Sequence, residues 1–352
     1  MKPAVRRGAL AVAAAGVALL AWLVLAPSGD ELTLHREFAV FGGHASLTVQ
    51  MPAAYTRDAT EQVLNSAQGL LLQLDHMLAA HGDGELGQLN QALARGEAIE
   101  IPEAMKPMVQ MSARAWFNSA GAFDARAGHL LQLWGLADGM PRPAHPPQEN
   151  DVNLLAAALK IAPPLKTGKY GPAQVQLDFG GIAKGHAADL TLAYLERNGV
   201  HDAILDLGGT VKASGHHGPH PWKIGIGNPR TESGQTLLAT LELEPDEAVA
   251  TRGDYEHYFE YAGQRFHSII DPRDGSPARG IQSVTVVGGN AAWMQATSTA
   301  VFVAGTGQWR AMSRAMGVQK LLVVNAEGAL FVTKELAPRL HLADGIHATT
   351  VP

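Results

Sequence analysis

Leu177-Asp178-Phe179-Gly180-Gly181-Ile182-Ala183-Lys184-Gly185-His186-Ala187-Ala188-Asp189 is the stretch on which the reading of this chain turns. The run from Val175 to Phe179 is strand-like, carries a carboxylate near its end and meets a glycine pair. From Ile182 to Arg197 the pattern becomes helical, and Asn198-Gly199 supplies the stop. Two glycines let backbone approach a ligand closely. A helix start beside Lys184 adds N–H groups and positive charge, a combination that suits a phosphate. The stretch has neither the Gly-x-x-x-x-Gly-Lys-Ser/Thr spacing of a Walker loop nor the Gly-x-Gly-x-x-Gly dinucleotide fingerprint. The residues alone leave a ligand-binding turn and an ordinary strand-to-helix turn both open.

Outward from this stretch, short apolar runs alternate with tight turns. Ala203 to Leu207 is a strand that meets Gly208-Gly209. Further strands are predicted at Trp222–Ile226, Gln235–Leu243, Tyr255–Tyr261, Ser283–Val287, Lys320–Asn325 and Leu330–Thr333, and a helix over Asn290–Val303. Toward the amino terminus, Glu31 to Pro52 alternates around Gly42-Gly43 as an opening hairpin would. Val63, Leu64, Ala67, Leu71, Leu74 and Leu78 then recur at three- and four-residue spacing, one core-facing helical stripe ending near Gly82. A second helix carries Pro107, Met108, Met111, Ala115 and Trp116 and stops near Gly121, and Pro141 to Pro147 reads as a surface loop. Meanders mixed with helices predict an α+β fold with largely antiparallel sheets and flanking helices, rather than an alternating parallel one.

The 352 residues, 46% hydrophobic and 17% charged, are ample for a buried core. A net charge of −6 argues against a nucleic-acid partner. The absence of cysteine excludes disulfides, thiolate metal sites and a cysteine nucleophile. Lys2, Arg6 and Arg7 precede an uncharged stretch from Gly8 to Pro27, the pattern of an export signal. Its length lies between a long signal peptide and a membrane-spanning helix, so residues 1–27 are expected to be a signal peptide or a retained anchor in the inner membrane. The basic flank stays cytoplasmic, which puts the chain after about Ser28 on the periplasmic face.

Several further segments carry residues suited to chemistry. Asp206-Leu207-Gly208-Gly209 brings a second glycine pair after a nearby strand. Thr251-Arg252-Gly253-Asp254-Tyr255 precedes His267-Ser268-Ile269-Ile270-Asp271-Pro272, whose Asp-Pro through Gly275 reads as a turn. His267 has the neutral-range pKa of a general base, and a strand histidine is equally often a packing residue. Gln295 and Thr299, four residues apart, share one helix face from which their oxygens would converge on a hard cation or a phosphate. His216, His217 and His220 lie in a Gly/Pro-rich loop without an acidic partner nearby, so zinc is not expected there.

Taken in order, these segments resemble the FAD:protein FMN transferases, the ApbE-like family. The resemblance starts at Phe41-Gly42-Gly43 and passes through Glu85-Leu86 to Asn90, Ala122-Phe123-Asp124, Leu133-Trp134-Gly135, Asp178 to Asp189 and Gly208-Gly209. It ends with Trp222 to Pro229, Thr251 to Tyr255, Ile269 to Pro277 and Gln295 to Val303. It implies one ApbE-like domain over residues 28–345, extracytoplasmic, that binds FAD and uses Mg2+. FMN would be joined through a phosphoester to Thr or Ser of an acceptor protein, with AMP released. By position, Ala122, Phe123, Asp124, Asp178 and Lys184 would contact FAD, and the Gly181 carbonyl, Gln295 and Thr299 would face the metal.

The chain departs from the family pattern at its reaction centre. Gln295 stands where the family usually has aspartate, and a neutral amide oxygen binds a hard cation more weakly. The family's proposed base, a histidine three residues before Asp-Pro, is here Ser268, with His267 one place earlier. Alternation along a strand points His267 to the opposite face, so either a bulge restores it or the base is missing. Arg252 replaces a usual serine, and its guanidinium is expected to neutralise phosphate charge. Phe41 stands for a usual Met and Ala80 for a usual Tyr. Two competing activities stay open at this level: a non-catalytic FAD-binding protein of the same fold, and a metal-dependent FAD pyrophosphatase.

Overall fold

Glycine and positive backbone torsions at Phe41 (φ 52°) and Gly42 (φ 67°) close the first hairpin, β1 (Thr33–Val40) with β2 (Gly43–Gln50). The computed structural model describes residues 32–137, 140–230 and 236–352; the expected amino-terminal signal or anchor lies outside them. Among the described residues no helix is long and apolar enough to cross a membrane. The chain continues through α1 (Arg57–Leu78), α2 (Glu85–Ala94), β3 (Ile99–Glu100), α3 (Lys106–Asn118), α4 (Gly128–Leu133), α5 (Glu149–Ile161), β4 (Lys169–Tyr170) and α6 (Ala183–Arg197). A strand-rich half follows: β5 (Ala203–Asp206), β6 (Thr210–Ser214), β7 (Lys223–Gly227), β8 (Leu237–Glu242), β9 (Ala248–Gly253), β10 (Tyr258–Tyr261), β11 (Gln264–His267) and β12 (Ile281–Gly288). The last elements are α7 (Ala291–Ala315), β13 (Lys320–Asn325), β14 (Leu330–Thr333), β15 (Leu340–Leu342) and β16 (Ala348–Val351).

Nine strands form one sheet in the order β1-β2-β5-β6-β9-β12-β13-β14-β16. Its neighbours pair antiparallel except β14 with β16, so the expected α+β architecture with largely antiparallel sheets is what the chain forms. Beyond residue 345 the chain thus adds an edge strand to the main sheet. Helices α1, α6 and α7 cover one face, where Leu64, Ala187 and Val301 meet Leu47, Leu205 and Val284. The three-stranded sheet β15-β8-β7 covers the other, with Trp222, Ile224 and Leu241 against Ile204, Val211 and Val249. Because β12 is covered on both faces, Ser283 and Thr285, which alternate with Val284 and Val286, are buried as well, and the Thr285 hydroxyl pairs with that of Thr251 at 2.8 Å. A second core joins α2 to α5 with Phe123, Phe179 and the β10–β11 hairpin.

Three local expectations need correction. Val175–Phe179 is extended, but it makes only an isolated bridge, Ala127 with Gln176, and joins no sheet. A side chain acts as its neighbouring strand: buried Asn90 accepts from the Leu177 N–H at 2.8 Å and donates to the Leu177 carbonyl at 2.9 Å. The helix predicted over Asn290–Val303 runs on to Ala315, broken only at Gly305 (φ 69°, ψ −179°). Directly after the proline-rich loop stands the unanticipated α5, which buries Val152, Ala156 and Leu159 at helical spacing.

Candidate functional site

The turn after Phe179 is built from close contacts. Gly180 donates its N–H to Asp178 Oδ1 at 2.7 Å, and the Ile182 and Ala183 N–H groups both reach back to the Phe179 carbonyl at 2.8 and 2.7 Å. A Cβ on Gly181 would lie 2.8 Å from the Phe123 ring, so only glycine lets that aromatic close over the turn. The Ser119 hydroxyl accepts from the Phe123 N–H at 3.0 Å and sets where the ring sits. Helix α6 crosses α7 so closely that the Gly185 Cα faces the Ala291 backbone. At the amino end of α7, Asp189 of α6 takes the Ala291 and Ala292 N–H groups at 2.9 and 3.1 Å.

This crossing opens a cleft enclosing about 970 Å³ of empty space, with the solvent at its mouth included. Ala122, Phe123 and Asp124 from the loop after α3 line it, together with Asp178, Gly181 and Lys184 from the turn. Arg252 from β9, Ser268 after β11 and Thr299 from α7 complete the convergence of segments far apart in sequence. Trp134 Nε1 donates to the Gly275 carbonyl at 2.7 Å, fastening the Ile269–Pro277 turn whose residues Ile269, Ile270 and Pro272 form another part of the wall. Asp124 also has a structural role: its carboxylate forks onto Arg126 at 2.9 and 2.6 Å.

Two of the expected site residues stand apart from the cleft. The β10–β11 register is regular, with Tyr258 opposite His267, so no bulge rotates the histidine. His267 instead enters the core edge-on to Phe302. Its Nε2 meets the Ala278 carbonyl at 2.9 Å, and its Nδ1 meets the Ile269 N–H at 3.3 Å. A carbonyl only accepts and an amide only donates, so the ring is a neutral tautomer with both nitrogens engaged, and burial holds its pKa low. As a general base His267 is excluded by this geometry. The histidine on the cleft wall, absent from the sequence reading, is His257; Ser268 donates its N–H to the His257 carbonyl at 2.9 Å across the hairpin. Its signal was pairing register, which spacing alone does not reveal.

Gln295 is the second. Its amide oxygen accepts from the Gly185 N–H at 2.8 Å and its nitrogen donates to the Gly180 carbonyl at 2.9 Å, two backbone partners that fix which end is which. Thr299 does share its helix face, but its hydroxyl donates to the Gln295 main-chain carbonyl at 3.2 Å. Arg252 Nη2 donates to the same Gly180 carbonyl at 2.8 Å, and Nη1 lies 3.6 Å from Glu256. Donors therefore crowd the place where oxygens were expected to gather. Among the described residues no group of three or more His, Cys, Asp or Glu side chains is arranged to hold a metal ion. The side chains present do not fit the expected Mg2+ site.

Lys184 Nζ reaches toward the turns at Gly43 and Gly208 and lends charge to Asp206 and Glu256. Burial raises the pKa of Glu256, opposed by Arg252 and Lys184. Burial drives the Asp206 carboxyl up to about 7, opposed by the Gly208 and Gly209 N–H groups and by Lys184. An acid whose folded pKa lies above its unfolded value near 3.8 contributes stability that is complete below pH 4 and lost as the pH rises through 7. Asp206→Asn is expected to abolish that loss. Chemical denaturation of both proteins from pH 4 to 8 should show the variant gaining on the parent by on the order of 3 kcal/mol across the window; parallel curves would contradict the assignment.

A mixed sheet covered by α6 and α7, with a Phe-capped Asp-Phe-Gly-Gly turn opening onto a shared cleft, is an α+β fold whose architecture matches solved ApbE structures. The chain belongs to the ApbE family, whose sequence model matches residues 41–322. A FAD:protein FMN transferase of Rhodobacter capsulatus is 37% identical over 340 residues, covering 94% of this chain and 64% of its own length. One from Vibrio cholerae is 29% identical over 259 residues, 72% of this chain and 76% of that protein. The chain thus spans less than two thirds of the Rhodobacter relative. Among solved structures, the Thermotoga maritima ApbE protein superposes with a TM-score of 0.74 at 27% identity, covering 87% of this chain and 99% of that one. The Pseudomonas stutzeri flavinyl transferase ApbE gives 0.75 at 26% identity, with 87% and 96% covered.

Proposed function

We propose that this chain is a FAD:protein FMN transferase. The observation that carries the reading is the convergence of Phe123, of Asp178 and Lys184 from one turn, and of Thr299, three segments far apart in sequence, on one cleft. Support comes also from the relatives at 37% and 29% identity that bear that name. The acceptor's Thr or Ser oxygen attacks the phosphorus of the FMN half of FAD, the bond to the AMP oxygen breaks, and the hydroxyl proton passes to a base. Phe123, almost wholly buried, closes the floor of the cleft over the Gly180-Gly181 turn, and Lys184 and Arg252 oppose the phosphate charge. With His267 sealed in the core, the groups on the wall able to take the proton are the Asp178 and Glu256 carboxylates and the His257 imidazole. We further infer that residues 1–27 are an export signal or anchor holding the domain on the periplasmic face of the inner membrane, because Lys2, Arg6 and Arg7 flank the apolar stretch on its amino side.

Incubating the full-length chain with FAD and a Thr-bearing acceptor, with and without magnesium, should yield covalently fluorescent acceptor and one AMP per label. Free FMN with unlabelled acceptor would identify the pyrophosphatase instead. FAD retained unchanged would identify a flavin-binding protein without turnover, a reading favoured by the sequestered His267.

A further inference from the structure

At the carbonyl of Gly180 two donors meet, the Gln295 carboxamide at 2.9 Å and the Arg252 guanidinium at 2.8 Å. A carbonyl oxygen engaged twice has no lone pair directed at a further ligand. Two further oxygens beside it are also committed, Gln295 Oε1 to the Gly185 N–H and the Gln295 carbonyl to Thr299 Oγ1. A divalent ion here would have to break these bonds and sit beside a permanent cation, against like-charge repulsion. Arg252 is well placed to remain where it is. It lies on β9, anchored in the centre of the nine-stranded sheet; Gly180 holds Nη2 and Glu256 flanks Nη1 at 3.6 Å. A guanidinium carries five N–H donors, more than these two partners take, and its planar fork matches a phosphate.

On the flavin-transferase reading above, we propose that Arg252 is the resident cation of this site: with Gln295 as the strut that fixes Gly180, it takes the diphosphate of FAD in place of a divalent metal. Gln295 supplies a donor where a carboxylate would have met the Gly180 carbonyl with repulsion, and Arg252 supplies the charge.

The test is FAD binding by fluorescence quenching on the full-length chain, in EDTA and then in excess MgCl2, beside calorimetric titration with MgCl2 alone. The wild type is expected to bind FAD with affinities that agree within about twofold in the two conditions and to show no magnesium heat. Arg252→Ala should weaken FAD about tenfold or more in both, the scale of a lost charge-assisted contact, and Arg252→Lys less. Thermal unfolding checks that each variant is folded. The double variant Arg252→Ser with Gln295→Asp should acquire a magnesium binding signal and an FAD affinity that magnesium raises about tenfold. Wild-type binding that collapses in EDTA, an unaltered affinity in Arg252→Ala, or a double variant indifferent to magnesium would overturn the proposal while leaving the flavin reading intact. No FAD binding in either condition would remove both.

Discussion

Gly185→Ala is expected to destabilise the domain by about 3 kcal/mol or more, at the upper end of what overpacking costs, and to leave little soluble protein. The added methyl would lie 2.4 Å from the Ala291 carbonyl carbon and oxygen and 2.5 Å from the Ala292 Cα. These are backbone atoms at the start of α7, pinned by Asp189, with no rotamer through which to yield. Relief requires α6 and α7 to separate, which pulls the Gly185 N–H off Gln295 and opens the core around Ala187 and Val301. Gly69→Ala is the control: the same change on the exposed side of α1, with nothing within 4 Å, should stabilise by about 0.5–1 kcal/mol through helix propensity. Thermal unfolding of the two variants decides the point; equal melting temperatures would show that the helix crossing is looser than described.

Asp124→Ala is expected to cost about 3–5 kcal/mol, because it strands a buried guanidinium. Asp124 and Arg126 expose 5% and 4% of their side chains. Without its carboxylate, Arg126 keeps the neutral Ala162 and Pro163 carbonyls, at 2.9 and 2.8 Å, the Tyr170 hydroxyl and its contact over Trp116, and no anion to balance its charge from Asp124. The melting temperature should fall by roughly 6–15 °C. Replacing both partners with apolar residues, Asp124→Leu with Arg126→Met, should restore much of that loss, since the penalty belongs to the unpaired charge rather than to the missing attraction. An Asp124→Ala protein that melts like the wild type and only binds FAD less well would mean that the carboxylate serves the ligand and not the fold.

The elements most legible in the sequence are those in which local pattern and tertiary role agree. The stripe from Val63 to Leu78, the hairpin around Phe41-Gly42 and the runs at Lys320–Asn325 and Leu330–Thr333 appear where periodicity and turn residues put them. Val175–Phe179 failed because its composition is that of a strand while its partner is the Asn90 side chain, eighty-seven residues away, and no strand pattern encodes that. The reaction centre divides the same way. Alternation points His267 away from Ser268 unless a bulge intervenes, and the regular β10–β11 register has none; helix spacing puts Gln295 and Thr299 one turn apart, where the Thr299 hydroxyl reaches the Gln295 carbonyl. What each group does on its face depended on atoms outside its own segment.

Order of motifs along the chain, glycine at tight approaches and apolar periodicity were enough to determine the family and the α+β class, because these follow from backbone sterics and from which faces must leave water; of the glycine-bearing segments, Gly180-Gly181 lines the cleft and Gly208-Gly209 does not. Only the tertiary structure decided that His257 rather than His267 faces the cleft and that the Gln295 amide and the Arg252 guanidinium close on the Gly180 carbonyl. Hydrogen-bond partners are chosen by the packing of α6 on α7 and by the pairing of β10 with β11, contacts between residues distant in sequence, and a linear pattern holds no record of the angle at which such elements meet.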